Sequence, residues 1–153
     1  MLSIYYKNSE GSYIEVSRGQ DLSSPVVTTH NGQNSVVITV PLYLRNNEST
    51  KWYSAIKIFP LDLEDANPYG DISFDETGWG VKLSVGGTEP TTAEWEDINW
   101  GEEISMENVG SDSLGDTTTY FPFYYLITSP PNTDAQNKTD IVLKTTYTEN
   151  AVA

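Results

Sequence analysis

The stretch YFPFYYLITSPPNTDAQNKTDIVLKTTY occupies residues 120–147. It opens with five aromatics in six positions: Tyr120, Phe121, Phe123, Tyr124 and Tyr125. A Pro-Pro turn and a polar loop follow, then a second β-rich run. Successive side chains of a strand point to opposite faces. Phe121, Phe123, Tyr125 and Ile127 therefore share one face, and Tyr120, Tyr124 and Leu126 the other. A strand that is apolar on both faces is central in its sheet, or is covered by a loop or partner. Large aromatics dominate cores and interfaces, so the rings read as core or interface rather than as a sugar platform. The face carrying Tyr120 and Tyr124 is the expected contact surface.

Working outward, the same period of two recurs along the chain. SVVITVPLYLR, residues 35–45, places Val36, Ile38, Val40, Leu42 and Leu44 on one face. Pro41 lacks an N–H and suggests a sheet edge or a bulge there. LSIYY and YIEVS flank Asn8-Ser9-Glu10-Gly11 as a hairpin, and VVTTH leads into the tight-turn dipeptide Asn31-Gly32. In WYSAIKIF, Trp52, Ile56 and Ile58 share a face with Lys57 opposite. In WGVKLSV, Trp79, Val81, Leu83 and Val85 point together, exposing Lys82 and Ser84. EISMENV and DIVLKTTYT complete eight or nine short strands separated by polar turns. No amphipathic helix is expected, and the long irregular stretches are residues 60–77 and 110–119. The pattern predicts an all-β fold: a single antiparallel β-sandwich, immunoglobulin-like or jelly-roll-like, forming one domain over residues 1–153.

The chain has 153 residues, enough to bury a core without covalent staples. It has no cysteine, which excludes disulfides and thiolate metal sites. Eight basic and 22 acidic residues give a net charge of −14. Such a charge repels phosphate and anionic lipid, so neither a nucleic-acid nor a membrane partner is expected. The opening MLSIYYKNSEG lacks the basic and apolar regions of a secretory signal, and no apolar run approaches about 18 residues. The sequons at residues 47–49 and 137–139 carry little meaning without secretion.

The chemical candidates are few. His30 is the only histidine, beside a turn, and no Gly-x-Ser-x-Gly elbow offers it a nucleophile. With 22 acids, carboxylate pairs arise by chance, so no glycosidase pair stands out. DANPYGDISFDE, residues 65–76, matches a calcium loop at Asp65, Asn67, Gly70, Ser73 and Glu76. Tyr69 and Pro68 spoil it, and the segment reads as a polar loop with turns. In AEWEDINWGEEISMENVGS, Trp95 and Trp100 sit among Glu94, Glu96, Asp97, Glu102 and Glu103. The indoles are expected to pack at the sandwich end while the carboxylates face water. No enzyme activity, cofactor or metal is expected.

The second half resembles small β-sandwich structural proteins of tailed-bacteriophage virions. The resemblance lies in EWEDINWGEEISMENVGS (residues 94–111), LGDTTTYFPFYY (114–125) and LITSPPNTDAQNKTDIVLKTTYTE (126–149). These motifs are short, and together they cover roughly residues 93–149. The resemblance implies a subunit of a tail, neck, baseplate or capsid surface, made in the host cytoplasm and housed in the virion. Its partners would be other virion proteins and copies of itself. No catalytic residue comes with it. The alternative is a carbohydrate-binding module, with Trp95, Trp100, Tyr120 and Tyr124 as stacking rings.

Overall fold

Eleven strands and one short helix run through the residues described by the computed structural model, which are 1–30, 37–62, 72–73, 79–111, 114–130, 135–139 and 141–153. In chain order they are β1 (Leu2–Lys7), β2 (Tyr13–Glu15), β3 (Thr28–His30), β4 (Val37–Asn46), β5 (Lys51–Asp62), β6 (Ile72–Ser73), β7 (Trp79–Val85), α1 (Thr92–Glu96), β8 (Ile104–Met106), β9 (Phe121–Thr128), β10 (Gln136–Lys138) and β11 (Ile141–Ala151). Six strands form one sheet in the order β2-β1-β4-β9-β7-β6. Three form a second, β11-β5-β8, and β3 pairs with β10 as a ribbon. The β6–β7 pair is parallel over two residues, and the other pairs are antiparallel. The fold is the expected all-β sandwich.

One buried cluster joins the two sheets. The six-stranded sheet contributes Leu2, Ile4, Leu42, Leu44, Trp79, Val81, Leu83, Phe123, Tyr125 and Ile127. The three-stranded sheet contributes Tyr53, Ile56, Ile58, Ile104, Ile141 and Leu143. Phe123, Tyr125 and Ile127 are fully buried, which answers the question posed by residues 120–147. β9 is central, flanked by β4 and β7, and its inward rings are core. Residues 23–26 tie the layers together. The Ser24 N–H donates to the Val16 carbonyl beside β2, and the Val26 N–H donates to the Ile141 carbonyl on β11.

Several expectations change. Pro41 lies in an interior strand, paired with Tyr124 of β9. The β1 pairing ends at Tyr6↔Leu42, one residue short of it, so the missing N–H sits where pairing to the neighbouring strand has already ended. Trp52 is only half-buried, and Tyr53 takes the core position instead. The cause is a bulge: Ala55 has φ 51°, and the register against β11 slips between Thr146 and Thr148. The extra residue puts Tyr53 and Ile56 on one face although three positions separate them. Lys82 is buried rather than exposed, while Val85 at the end of β7 is 47% exposed. Beside these, the described residues contain one helical turn: α1 is capped by Thr91, whose hydroxyl accepts from the Glu94 N–H while Glu94 accepts from the Thr91 N–H.

The stretch expected to be irregular from residue 60 instead extends β5 through Asp62. The Asn31-Gly32 turn and the second proline of the Pro-Pro turn lie outside the described residues.

Candidate contact surface on the six-stranded sheet

Strand alternation sends a second set of side chains to the outer face of the six-stranded sheet. At the β1–β2 end these are Tyr5, Tyr13, Tyr43 and Arg45, joined by Tyr120 at the start of β9. Tyr13 stacks on Tyr120, with centroids 3.7 Å apart and planes at 11°. Tyr43 meets Tyr13 edge-on at 5.2 Å, and Tyr5 meets Tyr120 edge-on at 5.5 Å. The Arg45 guanidinium lies 5.0 Å from the Tyr120 centroid, and its Nη1 donates to the Tyr120 hydroxyl at 2.8 Å. The Arg45 Nε donates to the Thr117 carbonyl, which anchors the preceding loop. Asn47 Nδ2 donates to the Tyr5 hydroxyl at 2.8 Å. At the cluster edge, burial pushes the Glu15 carboxyl up. Hydrogen bonds from Arg18, Ser3 and Tyr5, with the Arg18 charge, outweigh burial and hold it below the usual range.

The loop entering β9 is built on two residues. Gly115 has φ +80°, and a Cβ there would fall 1.9 Å from the Ser49 carbonyl oxygen. Only glycine fits between these two backbones. Asp116 accepts from the Thr118 N–H at 2.8 Å and from the hydroxyls of Thr118 and Thr119. Those donors, the Thr119 hydroxyl foremost, bring its carboxyl down to about 2.

At the β7 end the outer face is roofed by the acidic tryptophan segment. Trp95 on α1 is buried, and its carbonyl accepts from Lys82 Nζ at 2.7 Å. The same ammonium sits 4.2 Å from the Trp100 centroid. Burial lowers the Lys82 ammonium from its ordinary range, opposed by the charge of Glu96. The Gly101 N–H donates to the Val81 carbonyl at 2.7 Å, fastening the segment to β7. Glu94, Glu96, Asp97, Glu102 and Glu103 all point to water. The indoles pack and the carboxylates solvate, as expected.

Between these ends lies a more open strip: Pro122 beside Tyr43, whose ring also meets Tyr13, then Pro41 and its partner Tyr124. Pro41 is exposed, and the other three are half-exposed.

The four rings considered for sugar stacking do not converge. Tyr120 is committed to Tyr13 and Arg45, Trp95 is buried, and Trp100 lies on Lys82. Tyr124, half-exposed, lies apart from the other three on the open strip. His30 ends β3 and is buried, its Nε2 2.7 Å from the Thr28 hydroxyl and its ring edge-on to Trp79 at 4.9 Å. Thr28 is buried with it, so this histidine–hydroxyl pair is packed inside the fold rather than set in a cleft. Lys138 Nζ lies over the same Trp79 ring at 4.8 Å. Apart from the backbone of Ile72 and Ser73, the candidate calcium loop at residues 65–76 lies outside the described residues. Among the described residues, no group of three or more His, Cys, Asp or Glu could hold a metal.

The sequence marks Tyr120 and Tyr124 as contact residues and puts Tyr43 and Arg45 on the outer face of residues 35–45, but it does not join these to a site or single out Tyr5 and Tyr13. The signal for that last pair is the outward parity of the strands on either side of the hairpin. No family model matches the chain, and no curated protein matches it.

Proposed function

We propose that this chain is a non-enzymatic structural subunit of a tailed-bacteriophage virion, part of a tail, neck, baseplate or capsid surface. Its β-sandwich, of an immunoglobulin-like kind on this reading, acts through protein–protein contact. The setting is supported by the resemblance over residues 93–149. The mode of action is supported by one observation: the half-open strip of Pro122, Pro41 and Tyr124, with Tyr43 at its margin, flanked on both sides by aromatic packing. Rings and prolines are rigid and lose little entropy when covered. The strip would form the centre of an interface whose neighbours exclude water. The net charge of −14 makes free copies repel one another, so contacts would form beside a more basic partner or on an assembled structure.

The test is mass spectrometry of purified particles, followed by incorporation of Tyr124→Asp. The substitution should leave the fold intact, because Tyr124 faces away from the core, and should lower copy number per particle. Full copy number with the residue still solvent-exposed in the particle refutes the contact surface. Absence of the chain from particles, with binding on a sugar array, supports the carbohydrate-module reading instead.

A further inference from the structure

The chain has no cysteine, so it cannot be stapled by disulfides, yet it carries ten tyrosines. Two of them, on segments far apart in sequence, lie face to face: Tyr13 on β2 and Tyr120 at the start of β9, with centroids 3.7 Å apart and planes within 11° of parallel. Among the other tyrosine ring contacts here, Tyr13–Tyr43, Tyr5–Tyr120, Tyr43–Tyr120 and Tyr53–Tyr147, all are edge-on. We propose that Tyr13 and Tyr120 form an oxidative cross-linking site, where a one-electron oxidant joins the two phenols as an intramolecular dityrosine.

The stacked geometry is what the coupling step needs. Each phenol gives one electron to the oxidant and its hydroxyl proton to water, leaving a neutral phenoxyl radical. Part of the unpaired density resides on the ring carbons ortho to oxygen, in orbitals perpendicular to the ring. Only face-to-face rings overlap those orbitals directly. Pairing the two electrons makes one carbon–carbon bond between ortho carbons. Transfer of the two displaced ortho hydrogens to the phenol oxygens restores both rings. The product is two hydrogens lighter than the pair, and two electrons have passed to the oxidant.

The site is open enough for electron transfer. Both rings are half-exposed, on the outer face of the sheet rather than in the core. It is also rigid enough to favour this pair over others. The Arg45 hydrogen bond to the Tyr120 hydroxyl at 2.8 Å and the edge contacts from Tyr5 and Tyr43 hold the rings in register. Holding partners in a near-attack arrangement converts a bimolecular coupling into an intramolecular one. The cross-link would tie the edge strand β2 to the segment feeding the central strand β9. It would close a long loop and restrict the unfolded chain as a disulfide does.

The test exposes the folded protein to photo-oxidised ruthenium tris-bipyridyl, with persulfate as terminal electron acceptor. Wild type should give dityrosine fluorescence in the monomer, a mass lower by two hydrogens, and one cross-linked peptide pair containing Tyr13 and Tyr120. Its melting temperature should rise after oxidation. Tyr13→Phe and Tyr120→Phe keep the ring and the fold, checked by circular dichroism, and should each abolish the intramolecular product and the rise. Tyr43→Phe and Tyr124→Phe should retain both. A cross-link mapped to another pair, intermolecular dimers alone, or undiminished yield in Tyr13→Phe overturns the proposal.

Discussion

Gly80→Ala tests whether the acidic tryptophan segment is seated on β7 as described. A Cβ at Gly80 would lie 2.7 Å from Cζ3 and 2.8 Å from Cε3 of Trp100, well inside contact distance. Gly80 pairs with Thr128 of β9 and with Ser73 of β6, so its backbone is held on both sides. The half-buried indole must yield, and in doing so it leaves the Lys82 ammonium 4.2 Å beneath it. Overpacking of this kind costs about 1–3 kcal/mol, and the lost cation–π contact adds about 0.5–2 kcal/mol. Removing a strand glycine returns roughly 0.5–1 kcal/mol by restricting the unfolded chain. The expected net loss is about 0.5–4.5 kcal/mol by these same terms, centred near 2–3 kcal/mol. Urea denaturation of wild type, Gly80→Ala, Trp100→Ala and the double variant measures it. Without the indole there is nothing to strike, so in the Trp100→Ala background Gly80→Ala should be neutral or stabilising by up to about 1 kcal/mol. If the two single effects simply add, within about 0.5 kcal/mol, the indole does not sit on Gly80 and the reasoning fails.

Gly115→Ala places a methyl group against the Ser49 backbone and forces a left-handed φ on alanine. It should cost about 3 kcal/mol or more, read as a shift in urea midpoint at constant slope. Ala55 already occupies the left-handed region at the β5 bulge. Ala55→Gly should therefore stabilise by about 0.5–1 kcal/mol and Ala55→Val destabilise by more than about 1 kcal/mol in thermal melts; a loss of stability in Ala55→Gly would argue against the bulge. The Asp116 carboxyl falls from its ordinary 3.8 to about 2 in the fold. Its contribution is present above the ordinary value and is lost as pH falls toward about 2. Asp116→Asn should accordingly flatten the acid limb of a stability–pH profile between those values, and an unchanged limb would contradict the loop geometry. Trp79→Ala should cost about 3–5 kcal/mol, because this ring is buried in the core, and a change under about 1 kcal/mol would place it at the surface.

The parts of the fold legible in the sequence are those governed by alternation alone. β4, β7 and β9 announce their inward faces, and the β1–β2 hairpin announces its turn. There Asn8 accepts from the N–H groups of Glu10 and Ser12. The α1 turn was not read, although Thr91 and Glu94 stand at capping-box spacing, because five residues are too few to show a helical period. The Ala55 bulge was not, because a glycine or asparagine would flag a left-handed residue and alanine does not. That single hidden residue exchanged Trp52 for Tyr53 in the core. Lys82 reads as solvent-facing because its partners, Trp95 and Trp100, arrive from a later segment that no periodicity connects to β7. VVTTH contains β3, but its partner β10 is short and polar, with a register of three residue pairs, and gives too little pattern to read. Of the outer-face aromatics, Tyr120 and Tyr124 stood out by density. Tyr5, Tyr13 and Tyr43 are scattered over three strands and become a cluster only when the sheet order brings those strands together.

The sheet order also sets the tempo of folding. Among the described residues, the local pairings are short: β1–β2 over three residue pairs and β6–β7 over two. β4 must find β9, with Val37 opposite Thr128, and β5 must find β11, with Lys51 opposite Ala151. Each joins distant parts of the chain, so the loop-closure entropy falls due before either sheet has a buried face to offset it. Folding on the order of milliseconds to seconds is expected of such connectivity. Until β9 docks, the inward faces of β4 and β7 stay open to water, an interval in which mutual repulsion between highly acidic chains would keep unfinished copies from joining through their bare strands.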